Sequence, residues 1–126
     1  HLRYKFRRLF FVPGNHDLWV HSDEEKQTPD SFAKLFCLLK LCDELDVDVG
    51  AAPLCSDVFV VPLFSWYNAW FDKFDPFPDP SRKFHPGCKW GRLDPDLQVW
   101  KFFLSLNEAR LRLPYHGSVI TFSHFL

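Results

Sequence analysis

With 126 residues the chain has the size of one domain or of a piece of a larger one, enough to build one hydrophobic core. Lys and Arg number 15 against 16 Asp and Glu, a net charge of -1, which excludes a global field that would draw the protein to nucleic acid or to an anionic membrane. No apolar run approaches the roughly 18 residues that span a bilayer and no leader pattern opens the chain, so a soluble, intracellular protein is expected.

Leu9 to Val12 is a short apolar run stopped by Pro13 and Gly14, the pattern of a buried strand entering a tight turn. Its carboxyl end delivers Asn15, His16 and Asp17. From Thr28 to about Leu45 the period becomes helical, with Phe32, Leu35, Phe36, Leu39 and Cys42 on one stripe, Thr28 as N-cap and Pro29 at the first helical position. Cys37 and Cys42 lie in this apolar segment, where free cysteine behaves as a small buried hydrophobe. With Cys55 and Cys88 they show no C-x-x-C spacing, so reduced structural thiols are expected rather than a zinc ribbon or a redox pair.

Val58 to Val61 reads as a second strand, paired with a short one near Pro53 and Leu54. Residues 64–92 have no clean period and carry many aromatic residues among prolines; a loop of that length in a compact domain is usually functional, and its aromatic content argues against disorder. Asp94 and Pro95 repeat the cap-plus-proline device and predict a helix to about Arg110, with Leu97, Trp100, Leu104 and Ala109 toward the core. Val119 to Phe122 is a last strand, followed at once by Ser123 and His124. This order of elements indicates an α/β domain with helices covering a sheet.

Two strands therefore end in a histidine. In α/β sheets, sites form at the carboxyl ends of strands, where turns converge and are free of ladder hydrogen bonds. A carboxamide oxygen and a neutral imidazole are both ligands for a first-row divalent metal, so Asn15 and His124 could share one if their strands are neighbours. His16 would then face whatever the metal binds, with Asp17 orienting it. His1, His21, His85 and His116 read as loop residues.

The stretch Gly14-Asn15-His16-Asp17 after an apolar strand resembles the G-N-H-[DE] block of the calcineurin-like metallophosphoesterases, and Thr121 to Leu126 resembles the lone-histidine block that follows it. The resemblance implies an incomplete four-layer αββα fold, a sheet sandwich flanked by helices, of which residues 1–126 form the central portion. It implies two divalent metal ions (Mn, Fe or Zn), with Asn15 and His124 as ligands of one, His16 on the substrate phosphate and leaving group, Asp17 as partner of His16, and Gly14 allowing the turn. The family's D-x-H, G-D-x-x-D and G-H-x-H blocks are not among these residues, so an internal segment is expected, inactive by itself.

On this reading the full-length protein hydrolyses phosphate esters. A catalytically inactive scaffold that binds partners through the aromatic loop is the alternative. The loop could wall the site, with Trp66, Tyr67 and Asn68 as substrate-binding candidates, or simply pack on the sheet edge. Arg82, Lys83, Lys89 and Arg92 lie near its rings, but Asp72, Asp75 and Asp79 offset them, and no nucleic-acid partner is expected.

Overall fold

Asp30 opens the longest element: its extended backbone places the carboxylate to accept the Ala33 N–H at 2.8 Å, and helix α1 (Ser31–Glu44) follows. The computed structural model that shows this describes residues 2–21, 29–77, 86–95 and 98–125. Outside them lie the expected cap Thr28, the basic residues Arg82 and Lys83, Asp79, Leu97, His1 and His85. The N-cap is Asp30, two residues after Thr28, because its side chain reaches the third helical N–H, an otherwise orphaned donor.

Along α1 the buried row is Ser31, Leu35 and Cys42, with Phe32, Leu38 and Leu39 packed against the core from its flanks. Phe36 is 59% exposed, contrary to the expected stripe, and Cys37, expected as a buried thiol, is also exposed; both sit a hundred-degree step or more beyond Leu35. After α1 the chain turns through Asp46, whose φ of 55° is left-handed, a conformation that Asp tolerates better than most residues.

This turn brings Asp48 beside Phe10. The run Leu9 to Val12 is extended but makes one isolated parallel bridge, Phe10 to Asp48, instead of joining the sheet. Phe11 N–H donates to Asp48 O at 2.9 Å and Asp48 N–H to Leu9 O at 2.8 Å, while the Arg8 guanidinium clasps the Asp48 carboxylate with two bonds of 3.0 and 2.8 Å. Pro13, with no N–H to donate, follows directly.

The sheet has three strands in the order β1 (Ala52–Cys55), β2 (Val58–Pro62), β3 (Ser118–Phe122). β1 and β2 are an antiparallel hairpin, as expected, whose register shifts between Pro53 and Cys55. β2 and β3 are parallel and aligned from Val58↔Ser118 to Pro62↔Phe122, and Leu63 N–H donates to Phe122 O at 2.9 Å just past the ladder. Gly117 starts β3: a Cβ there would lie 2.0 Å from the carbonyl oxygen of Asp57, so only glycine lets the strand begin against the hairpin turn. The chain is thus mixed α/β, with one small mixed sheet among the described residues.

The crossover from β2 to β3 contains helices α2 (Val99–Ser105) and α3 (Glu108–Leu111) in place of one helix from Asp94 to Arg110. Asp94 does not cap it directly; its N–H donates to Gln98 Oε1 and its carbonyl accepts the Gln98 N–H. The face turned inward is Val99, Phe103 and Asn107, spaced by four. Trp100 packs on the core edge, but Leu104 is 56% exposed and Ala109 is exposed, so the expected face was one position off.

The aromatic segment supplies much of the core. Trp66 stacks on Phe103 (centroids 5.1 Å, 20°) and meets Trp90 edge to face at 4.9 Å, with Leu18, Leu35, Phe64 and Val99 completing the cluster. Trp70, Phe71, Phe74 and Phe77, in contrast, are 62–84% exposed. Two polar side chains on the α2–α3 face hold this cluster to the sheet. The buried Asn107 carboxamide accepts the Phe64 N–H at 2.9 Å and donates to the Phe64 carbonyl at 2.7 Å. One turn on, the Arg110 guanidinium donates to the carbonyls of Val49 (2.8 Å) and Pro62 (2.7 Å) and lies over the Phe64 ring at 4.5 Å. Among the described residues no helix is long and apolar enough to cross a membrane.

Asn107→Ala should lower unfolding free energy by about 2 to 4 kcal/mol in urea titration, because it strands a buried N–H and a buried C=O together. Asn107→Asp, which keeps only the acceptor, should be no better than partial rescue.

Candidate functional site

The turn that follows Val12 is built around Leu18. This residue is fully buried, its N–H bonds to Asn15 O at 3.1 Å, and its carbonyl accepts the Ser31 hydroxyl at 2.8 Å. Ser31 also accepts the Lys89 N–H at 2.8 Å, so one buried hydroxyl ties the turn, the start of α1 and residue 89 together. Above Leu18 a single 3₁₀ turn, His16–Leu18, points His16 and Asp17 outward and leaves Asn15 buried.

The Asp17 carboxylate accepts the Gly14 N–H at 2.7 Å and so closes the turn on itself. The His16 ring lies on Trp19, with centroids 3.8 Å apart. Trp19 is therefore the residue against the His16 imidazole, and Asp17 serves the backbone of the bend.

From the other side comes the end of β3. Ser123 Oγ donates to Phe125 O at 2.7 Å and Phe125 N–H donates to Ser65 Oγ at 2.9 Å, which fixes the main chain on both sides of His124. His124 Nε2 then lies 3.1 Å from Asn15 Oδ1, across 109 positions of sequence. A Cβ on Gly14 would fall 2.7 to 2.9 Å from three atoms of the His124 ring, so the imidazole rests directly on the glycine backbone. Gly14 has no positive φ; its role is this close approach rather than the bend itself.

Nε2 and Oδ1 can face each other at 3.1 Å in two ways. Either Nε2 carries a proton and donates it, or both atoms are acceptors with a cation between them. Two ligands at about 2.1 Å from a metal and at right angles to one another are about 3.0 Å apart, so the pair fits adjacent corners of an octahedral ion. Among the described residues no group of three or more His, Cys, Asp or Glu side chains gathers as a metal site.

Cys88 lies beneath, its thiol 3.7 Å from Asn15 O, and burial pushes its pKa up to about 11. Of the other cysteines, Cys42 is buried while Cys37 and Cys55 are exposed, and all four are free.

The substrate-binding candidates divide differently. Trp66 is mainly a core residue, 5% exposed. The Tyr67 hydroxyl donates to Asp72, and Asn68 Oδ1 accepts the Trp70 N–H at 3.1 Å, just before the 3₁₀ turn Phe71–Phe74. Ser31, Ser65 and Cys88, which hold the site, carry no motif; the sequence offers for Ser65 no more than a lone hydroxyl in the apolar run after β2. His21 and His116 lie in loop segments. The clefts of ≈ 530 Å³ beside Arg8 and ≈ 620 Å³ beside Leu45 include neither Asn15 nor His124. The chain matches no family model, no curated protein and no solved structure.

Gly14→Ala should displace His124 and cost about 1 to 3 kcal/mol, as overpacking does, with the loss read by denaturation and by a shift of the His124 ring resonances. At pH 8 iodoacetamide should label Cys37 and Cys55 and spare Cys42 and Cys88. The raised folded-state pKa of Cys88 means that its contribution to stability is whole below the ordinary thiol value of 9.0 and is lost as pH rises from there to about 11.

Proposed function

We propose that this chain is part of a calcineurin-like metallophosphoesterase domain which, in the full-length protein, hydrolyses phosphate esters at a dinuclear metal centre. The observation that carries the reading is the meeting of Asn15 Oδ1 and His124 Nε2 at 3.1 Å, with Gly14 beneath the imidazole. A sequence pattern could place these residue types at strand ends by chance. A carboxamide and an imidazole converging over a glycine suits a shared ion as well as a direct hydrogen bond.

Asn15 and His124 would hold one of two divalent ions, Mn, Fe or Zn, and the remaining ligands would come from beyond these 126 residues. Such ions, when bound, supply a water of lowered pKa and positive charge for the phosphoryl oxygens. His16, exposed beside Asn15 and braced on Trp19, would contact the phosphate and give a proton to the leaving oxygen. Asp17 holds the turn that aims both. The sheet is compatible with a sandwich: β3 is an edge among the described residues, and its Val119 and Ile120 are 42% and 50% exposed on opposite faces, apolar surface that further strands and a second sheet would cover.

The second reading, a catalytically inactive scaffold, draws on the exposed rings of Trp70, Phe71, Phe74 and Phe77, a surface suited to a protein partner. One assay separates the two. Phosphate release from an aryl phosphate with manganese is expected from the full-length gene product and should fall about 10²- to 10³-fold in His16→Ala. No release from either protein would leave the scaffold.

A further inference from the structure

Phe125 joins the candidate metal ligand to an apolar groove. Its ring meets the His124 imidazole edge to face at 4.8 Å and Trp66 at 5.6 Å. Beyond it opens a groove of ≈ 230 Å³, walled by Phe64, Phe71, Trp100 and Leu104 as well as by Trp66 and Phe125. Among the described residues no charged side chain lines it. Its two polar side chains are already bonded to main chain, Ser65 Oγ to the Phe125 N–H and Asn68 Oδ1 to the Trp70 N–H.

The groove thus favours an apolar occupant, and its size narrows which. A dry apolar cavity of about 150 Å³ takes one benzene ring, whereas pockets for larger ligands start at roughly 300 Å³. A volume of ≈ 230 Å³ fits a single ring with a short linker and is too small for a base with its sugar. Because Phe125 is held at both its N–H and its C=O, the wall between the imidazole and the groove has a set position.

We propose that the groove receives the organic group of the phosphate ester and selects esters of a phenyl-bearing or similarly sized apolar alcohol over small polar ones. The inference rests on the phosphoesterase reading and names the substrate class of that same site. Phe125 is then a specificity-determining residue, and Phe71 and Leu104 are the groove's outer rim.

Benzyl and methyl phosphate release alkoxides of similar basicity, so the ratio of their kcat/KM values reports the groove rather than the leaving group. In the full-length gene product with manganese the ratio should favour benzyl phosphate by about tenfold or more, the usual selectivity of an apolar pocket. The double variant Phe71→Ser with Leu104→Asn alters two exposed side chains and should bring the ratio close to one, chiefly through loss of benzyl phosphate turnover. Benzylphosphonate, which is not hydrolysed, should change indole emission saturably in the parent and not in the double variant.

Hydrolysis of methyl phosphate with no preference for benzyl phosphate would overturn the groove and leave the phosphoesterase standing. Absence of any saturable indole change would overturn it as well. Hydrolysis of neither ester would sink the phosphoesterase reading and, with it, the groove's part in catalysis.

Discussion

The pairing of the Asn107 carboxamide with both main-chain polar groups of Phe64 is the interaction on which the rest of this structure hangs. Where β2 runs off the sheet, Phe64 has no strand partner, and an unpaired buried N–H and C=O would each cost about 1 to 3 kcal/mol. Asn107 supplies an acceptor and a donor in the geometry of a short strand. Arg110, on the same helical face, supplies a donor to the carbonyl of Pro62 two residues earlier, and burial draws its pKa below the ordinary value. The crossover helices are thereby fastened to the end of β2 by polar contacts set within an aromatic core.

From that point order passes to the candidate site in short steps. Phe64 held in place sets Ser65, whose hydroxyl takes the Phe125 N–H; Phe125 flanks His124; and His124 reaches Asn15. A parallel route runs from the buried Ser31 hydroxyl through Leu18 to the other half. The two halves of the site are thus supported by the core rather than by their own loops, which is how side chains far apart in sequence are kept within a few tenths of an ångström of a useful distance. Besides the Nε2 to Oδ1 approach, the halves touch where the imidazole rests on Gly14, where an added methyl has no room.

Particular residues show where sequence reasoning succeeded and where it stopped. The hairpin of β1 with β2, the strand leading to His124 and the helix after Pro29 were all legible, because each depends on a local pattern of apolar period and turn chemistry. Asp30 displaced Thr28 as cap because capping is decided by which oxygen reaches the third helical N–H. The inward face of α2 was missed because the row of Val99 and Phe103 is completed by the polar Asn107, which a search for apolar period passes over. The run Leu9 to Val12 looked like a sheet strand, yet a strand needs a neighbour, and its only described bridge is to Asp48.

By itself the sequence determined the pieces: an apolar run broken at Pro13 and Gly14, three polar residues presented after it, and a second strand ending at His124. These follow from backbone sterics and from short-range hydrophobic period, which act over a few residues. Only the tertiary structure decided that Asn15 and His124 meet at 3.1 Å, that Gly14 is there to seat an imidazole, and that Trp66 belongs to the core while Phe71 stays outside it. Those outcomes depend on contacts between segments up to 109 residues apart, and no local period encodes which buried amide or hydroxyl will bridge them.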